Sequence, residues 1–475
     1  MSDRCATSKK DDTYDLAVIG AGSAGFSAAI TAVEQGARVA LIGRGAIGGT
    51  CVNVGCVPSK TMIRAAEALY GARAASRFDG IVGEARVVDW PRVIAAKDEL
   101  VAGLRQKKYV ELLPQYEGIG YIEGAARLAD GGVAVSDMIV GAPKIVITTG
   151  ARPAVPPIPG LEKVRYLTST SLLELDALPK SLIVVGGGFI GAELAQMIAR
   201  MGVDVTMVCR SRLLPQTEPE VSDALMDEFR REGMRLHCGV AYDVCREDAS
   251  GVTLCIKEKG ELLELRAEKV LIATGRAPNI DGLGLVEAGV ALDERGAIMV
   301  DPHMRTSKTG VYAAGDVTDR DQFVYMAAYG AKLAARNALG GDALLYENGA
   351  MPWVVFTDPQ VAGVGLTETQ AAGAGHEAKV SVVSLDQVPR ALAARDTRGL
   401  IKLVADAHTD RLLGGQILAP EGADSIQTLA LALKHGMTAH ALGETIFPYL
   451  TTVEGLKLAA QGFERDVAKL SCCAG

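Results

Sequence analysis

The sequence predicts an α/β protein with two parallel-sheet dinucleotide-binding units and a carboxyl-terminal α+β region. Three observations carry that expectation. A unit of strand, Gly-x-Gly-x-x-Gly turn, helix and second strand occurs from Tyr14 and again from Ser181. A proline-rich connection, PAVPPIPG, separates the two copies. The chain has 475 residues, 54 of them glycine, and is 49% hydrophobic, which allows about three domains joined by many tight turns.

The first copy opens with YDLAVIG, an apolar run of the kind found in buried parallel strands. Gly20-Ala21-Gly22-Ser23-Ala24-Gly25 follows, then a helical stretch to Gln35 and the strand ARVALIG. Glycines in this turn let the backbone approach a pyrophosphate, which the helix amino end then favours. Gly20, Gly22, Ser23, Ala24 and Gly25 are therefore candidate cofactor residues. The second strand ends at Gly43, where an acid usually reads the adenosine ribose. This departure predicts loosened binding, so Gly43→Glu is expected to tighten cofactor retention.

Residues 61–113 read as mainly helical, and VAVSDMIV and KIVITTG as strands leading to Thr148, Thr149 and Gly150. The second copy, SLIVVGGGFIGAELAQMIARMGVDVTMVCR, makes Gly186, Gly188, Ile190 and Gly191 candidates for a second nucleotide. Two complete units imply two nucleotides, a flavin and a nicotinamide. Arg210 and Arg212 stand after the second copy, with no acid to read a 2′-hydroxyl. Arginines there suit a 2′-phosphate, so NADPH is expected over NADH.

An aromatic content of 5% and a net charge of −8 argue against a nucleic-acid binder. The amino end, MSDRCATSKKDD, lacks an apolar signal region, and no apolar run reaches the ~18 residues of a membrane span, so a cytoplasmic location is expected. Most of the nine cysteines, including Cys5, Cys209, Cys238, Cys245 and Cys255, read as small apolar residues in a reducing compartment. Two pairs stand apart.

The first pair lies in Gly48 to Lys60, GGTCVNVGCVPSK, which spaces Cys51 and Cys56 as Cys-x4-Cys. On an ideal helix, residues five apart have Cα atoms about 8–9 Å from each other, beyond the ~7 Å limit for a disulfide. An oxidised pair therefore needs a distorted turn. Gly55 supplies the freedom for one, and the resulting bond is reducible.

This stretch resembles the redox-active loop of the flavoprotein disulfide reductases, the family of glutathione reductase and dihydrolipoamide dehydrogenase. The resemblance runs from Tyr14 to Gly475 and implies two Rossmann-like domains of the glutathione-reductase type, followed by a dimerisation domain. It implies a polar tail at 1–13, an FAD-binding domain at 14–155 and 283–347, an NADPH-binding domain at 156–282 and an interface domain from FTDPQVAGVGLTE within 348–475. Cys51 and Cys56 become the redox-active disulfide pair, and Gly49 and Thr50 line the cofactor. Lys60 lies near the flavin and pairs with Glu193, which a surface reading would leave as a helix carboxylate. Thr149, Gly150, Gly275, Arg276, Gly315 and Asp316 fall in further cofactor segments, with Asp316 on the flavin's ribityl chain.

Members that exchange disulfides carry a His-Pro pair with a nearby glutamate, the histidine moving the proton of the departing thiol. The matching stretch is IFPYLTTVEG, so the histidine position is Phe447 and the glutamate is Glu454. His435 and His440 are out of register and read as ordinary helix residues. Phenylalanine moves no proton, which disfavours glutathione, lipoamide and thioredoxin. Tyr449 matches a tyrosine that lies by the metal in members acting on thiophilic cations.

The chain ends in Ser471-Cys472-Cys473-Ala474-Gly475. Adjacent thiols at a terminus are poorly explained by core packing, whereas two soft thiolates suit a soft cation. The expected activity is reduction of Hg(II), delivered as a thiol complex, to Hg(0). Cys472 and Cys473 capture the ion, Cys51 and Cys56 receive it, and the tail serves the partner subunit of a homodimer. The sequence contains no GMTCxxC motif of the kind found in an additional amino-terminal metal-binding domain. The rival readings are a thiol-disulfide reductase and a metal-binding protein without turnover.

Overall fold

Runs such as LAVI, VALIG and the LIVV of SLIVV are apolar throughout because their strands are covered on both faces. The computed structural model describes residues 13–318 and 320–469. Cys5, Cys472 and Cys473 lie outside the described residues. The chain divides into two units: Met1–Pro58, Ala95–Ala154 and Arg276–Glu347 form the first, and Ser59–Ile94, Val155–Gly275 and Asn348–Gly475 the second. Among the described residues, no helix is long and apolar enough to cross a membrane.

The first unit is built on β1 (Leu16–Ile19), α1 (Ser23–Glu34) and β2 (Val39–Gly43). A five-stranded parallel sheet places the strands in the order Val311–Ala313, Lys144–Ile147, β1, β2 and β3, with β3 at Ile119–Glu123. Helix α1 and the helix Val324–Gly340 pack their small residues together on this sheet, with Ala28, Ala29, Ala32, Ala331, Ala334 and Ala335 inside. The cysteine loop forms α2 (Gly49–Asn53) and the start of α3 (Cys56–Arg73). The stretch expected to be helical is interrupted over residues 78–89, which carry no regular helix.

The second unit repeats the design. Its four-stranded parallel sheet runs Arg235–Cys238, Asp204–Cys209, Ser181–Val185, Lys269–Ile272. The helix Phe189–Arg200 follows the second glycine turn, and its Ala192, Leu194, Ala195 and Ile198 fill the core. A five-stranded antiparallel sheet, Trp353–Val355 to Ala378–Ser384, forms the carboxyl-terminal part and is covered by the helix Gly422–Lys434. The α/β class with a final α+β region is thus as expected.

One buried charge stands out in that sheet. Lys402 is 1% exposed, and its ammonium donates to Glu218, Glu220 and Glu368 at 3.1, 3.0 and 2.8 Å. Burial alone lowers a lysine pKa, but these three bonds outweigh it and hold Lys402 above the usual range. Removing the cation strands the buried Glu218 carboxylate. Lys402→Met is therefore expected to destabilise the fold by about 3 kcal/mol, read as a lower denaturation midpoint with unchanged slope. A midpoint equal to that of the unmodified protein would contradict this.

Candidate active site

In the first unit, the glycine turn and the cysteine loop are in backbone contact. Gly48 N–H donates to Ala21 O at 2.9 Å, and Gly22 and Gly48 form a parallel bridge. A Cβ on Gly49 would lie 2.6 Å from Gly22 Cα, so only glycine fits, and Gly49 also takes φ +67°. Thr148, next to the expected Thr149, closes the turn: its hydroxyl donates to Ile19 O and Gly20 O at 3.0 and 3.2 Å. Thr149 instead donates to Asn279 O at 2.7 Å.

Cys51 lies on α2 and Cys56 begins α3, so the pair straddles a helix break at Val54-Gly55 rather than one continuous helix. A Cβ on Gly55 would stand 2.9 Å from Thr50 O, which shows how closely the break folds back. Both cysteines are half-buried. Tyr109 comes from a π-helical turn, Gln106–Val110, a distortion often found at functional sites. Its hydroxyl lies 3.1 Å from Ser23 Oγ, and its ring meets Phe26 edge-on. Burial raises its pKa first, Ser23 opposes that, and the charges of Cys51 and Cys56 raise it further. Sequence reasoning missed Tyr109 because an aromatic in an irregular helical turn leaves no periodic signal.

The residues present fit a dinucleotide in each unit. Helices α1 and Phe189–Arg200 begin at Gly22 and Gly188 with no side-chain cap and no acid in the first turn. The first N–H groups of α1 thus face a pyrophosphate site without a competing cap, and neither helix start sets an acid against a phosphate. Gly20, Gly25, Gly186 and Gly191 allow tight helix-to-strand packing, and at each an added Cβ would come within 2.4 Å of a backbone oxygen. Ser23 and Ala24 open α1, and Ile190 lies in the first turn of the second helix. Gly150, Gly275 and Gly315 take positive φ at segment ends. Arg276 Nε lies 3.5 Å from Asp316 Oδ2 and, though buried, has no hydrogen-bond partner among the described residues.

In the second unit, Lys60 Nζ meets Glu193 Oε2 at 2.7 Å and lies 4.9 Å from the Phe356 ring centroid. Glu193 is 5% exposed and also accepts from Phe356 N–H at 2.9 Å, so the surface reading of this carboxylate is overturned. Arg210 is exposed, whereas the Arg212 guanidinium donates to Pro215 O at 3.1 Å and to Thr217 O. Phe447 packs against the core of the antiparallel sheet. Glu454 accepts from Leu450 N–H at 3.1 Å, while Leu450 holds φ +59°, so this carboxylate pins a strained turn beside the half-exposed Tyr449. His435 caps a helix and His440 lies on the short helix Ala439–Gly443, as expected.

Gly43 requires a correction. Its added Cβ would stand 2.7 Å from Tyr121 Oη and 2.8 Å from Ala21 Cβ, so there is no room for a restored acid. Tyr121 on β3 fills the space, and burial followed by the Glu123 charge raises its pKa, keeping the phenol neutral. Gly43→Glu is now expected to weaken flavin retention, measured as cofactor lost on dialysis. Tighter retention would show that Tyr121 yields.

A family model described as pyridine nucleotide-disulphide oxidoreductase matches residues 14–335, and the dimerisation domain of that family matches residues 351–460. The mercuric reductase of Streptomyces lividans is 46% identical over 97% of this chain and 98% of its own length. That of Shigella flexneri is 48% identical over 97% of this chain and 82% of its own. Among solved structures, the HOCl-induced flavoprotein disulfide reductase of Escherichia coli superposes with a TM-score of 0.83 at 31% identity, covering 94% of this chain and 99% of that one. The chain belongs to the pyridine nucleotide-disulphide oxidoreductase family, among the mercuric reductases that it matches along nearly its whole length.

Proposed function

We propose that this chain is an FAD-containing, NADPH-dependent Hg(II) reductase that releases Hg(0). FAD and a pyridine nucleotide follow from the family. The FAD-binding segments are 14–155 and 283–347, the NADPH-binding segment is 156–282, and 348–475 forms the dimer interface. Bound FAD supplies two-electron transfer between a nicotinamide and a dithiol. The turn Gly20 to Gly25 holds its pyrophosphate, Tyr121 supplies the polar group at its adenosine end, and Asp316 holds its ribityl chain.

Cys56 serves as the inner thiolate and Cys51 as the outer one. Lys60, held by Glu193, supplies a cation that favours negative charge near the inner thiolate. Burial keeps Tyr109 neutral beside the thiols, Tyr449 lies by the metal, and Cys472 and Cys473 capture Hg(II) from thiol complexes. Two thiolates suit a soft cation, and a two-electron reduction of Hg(II) needs no proton delivered to a leaving thiol.

The observation that carries the choice of Hg(II) over a disulfide is Phe447. It is half-buried against the core at the position where a disulfide-exchanging member carries its proton-transfer histidine, and Glu454 is occupied with the Leu450 turn. The test is NADPH oxidation with Hg(II) in excess small thiol, beside oxidised glutathione, lipoamide and thioredoxin. Only Hg(II) should support turnover, and Cys56→Ala should abolish it. Turnover with a disulfide instead would establish the rival reading.

The two arginines should separate. Arg210→Ala is expected to raise the NADPH KM about tenfold, the size of one charge-assisted hydrogen bond, while leaving NADH nearly unchanged. Arg212→Ala, which unties the loop, should raise both. An unmodified enzyme that prefers NADH would contradict the assignment.

The tail is assigned to the partner subunit. It starts about fifteen residues after Glu454, a reach of at most ~50 Å, and the interface stretch that carries Tyr449 completes the partner's site in a two-fold dimer. A mixed dimer of a Cys472→Ala, Cys473→Ala subunit with a Cys51→Ala, Cys56→Ala subunit should regain activity when mercury is held by competing thiols. Activity no higher than that of either parent would place the tail on its own chain.

A further inference from the structure

The second unit contains a thiol pair that this mechanism does not use. Cys209 ends the strand Asp204–Cys209, Cys238 ends the strand Arg235–Cys238, and the two are direct partners in parallel register. Register partners on neighbouring strands place their side chains on one face, with strands about 4.8 Å apart. Met226 Sδ lies 3.8 Å from Cys238 Sγ, which adds a third sulfur. Cys245 and Cys255 differ: their register partners are Leu254 and Val244, so they face opposite sides of their sheet.

The location of the pair gives it a consequence. Cys209 Sγ packs on the second glycine turn, because an added Cβ on Gly187 would lie only 2.4 Å from it. Leu214 N–H donates to Gly187 O at 2.7 Å, and Gly239 N–H, next to Cys238, donates to Ser211 O at 2.9 Å. The loop bearing Arg210 and Arg212 is thus tied to the glycine turn at Leu214 and to the residue after Cys238 at Ser211. An atom bonded to Cys209 Sγ has to displace the turn or the loop.

We propose that Cys209 and Cys238 form a second site for a thiophilic cation, with the Met226 thioether beside it, and that its occupation weakens pyridine-nucleotide binding. Two S–H bonds are replaced by two S–metal bonds, two protons leave, and no electrons move. The choice of Hg(II) as the cation rests on the proposed function; the sulfur geometry does not.

The test uses FAD-loaded protein with Cys5, Cys51, Cys56, Cys472 and Cys473 replaced by Ser, dialysed against Hg(II) and a competing small thiol. One Hg(II) per chain should be retained, and NADPH Kd should rise about tenfold on loading, within the usual range of coupling between sites. By reciprocity, saturating NADPH should lower Hg(II) affinity by the same factor. Adding Cys238→Ser, or Cys238→Ala as a second form, should remove both the retained metal and the shift, with metal-free NADPH affinity unchanged. Met226→Leu should weaken retention while keeping both thiols.

Metal retention unaffected by loss of Cys238, or an NADPH Kd indifferent to loading, would overturn the proposal. The measurement needs no turnover. Failure of the functional reading would appear separately, as absent Hg(II)-dependent NADPH oxidation in the unmodified enzyme.

Discussion

The close approach of Gly49 to Gly22 is the constraint on which the first unit depends. Two chain segments that elsewhere carry side chains meet there backbone to backbone, and a single Cβ would force them apart. The segment from β1 presents uncapped N–H groups at the start of α1, and the segment from α2 presents Cys51. The anion-binding helix end and the redox loop are therefore parts of one packed object. A shift in either moves the other, and this couples cofactor placement to thiol placement without any dedicated linker.

Charge is distributed to match. The amino ends of both nucleotide helices are free of acids, which leaves their dipoles uncompensated for a phosphate. The buried Glu193 is matched by Lys60 and by the Phe356 N–H, so the cation has a set position rather than a range of surface rotamers. Lys402 and its three glutamates do the same for the carboxyl-terminal sheet, and Glu454 does it for the turn around Leu450. A glutamate next to a histidine would act as a base partner. Here, with Phe447 in the histidine's place, it acts as a brace for the Leu450 turn.

Much of this was legible in the sequence because it rests on local rules. The strand, glycine turn and helix order reads directly from YDLAVIGAGSAG and SLIVVGGGFIG, since those glycines are required by backbone distance. The cysteine loop reads from spacing, and Gly55 foretells the break between α2 and α3. What the sequence did not disclose depends on distant pairs. Tyr121 fills the space over Gly43 from 78 positions away, because β3 neighbours β2 in register. Tyr109 reaches Ser23 across 86 positions, through an irregular helical turn. Burial of Glu193 depends on Phe356, 163 positions later. The pairing of Cys209 with Cys238 is likewise a matter of strand order, invisible to spacing.

The central claim is that electrons from NADPH end on a thiol-held metal ion. The most direct measurement counts both sides of that balance: anaerobic protein, a known amount of NADPH, Hg(II) in excess small thiol, and trapping of mercury vapour. NADPH and Hg(II) each exchange two electrons, so the account predicts one Hg(0) released per NADPH consumed, with none from Cys56→Ala. NADPH consumed without vapour, or vapour formed at an undiminished rate by Cys56→Ala, would contradict it.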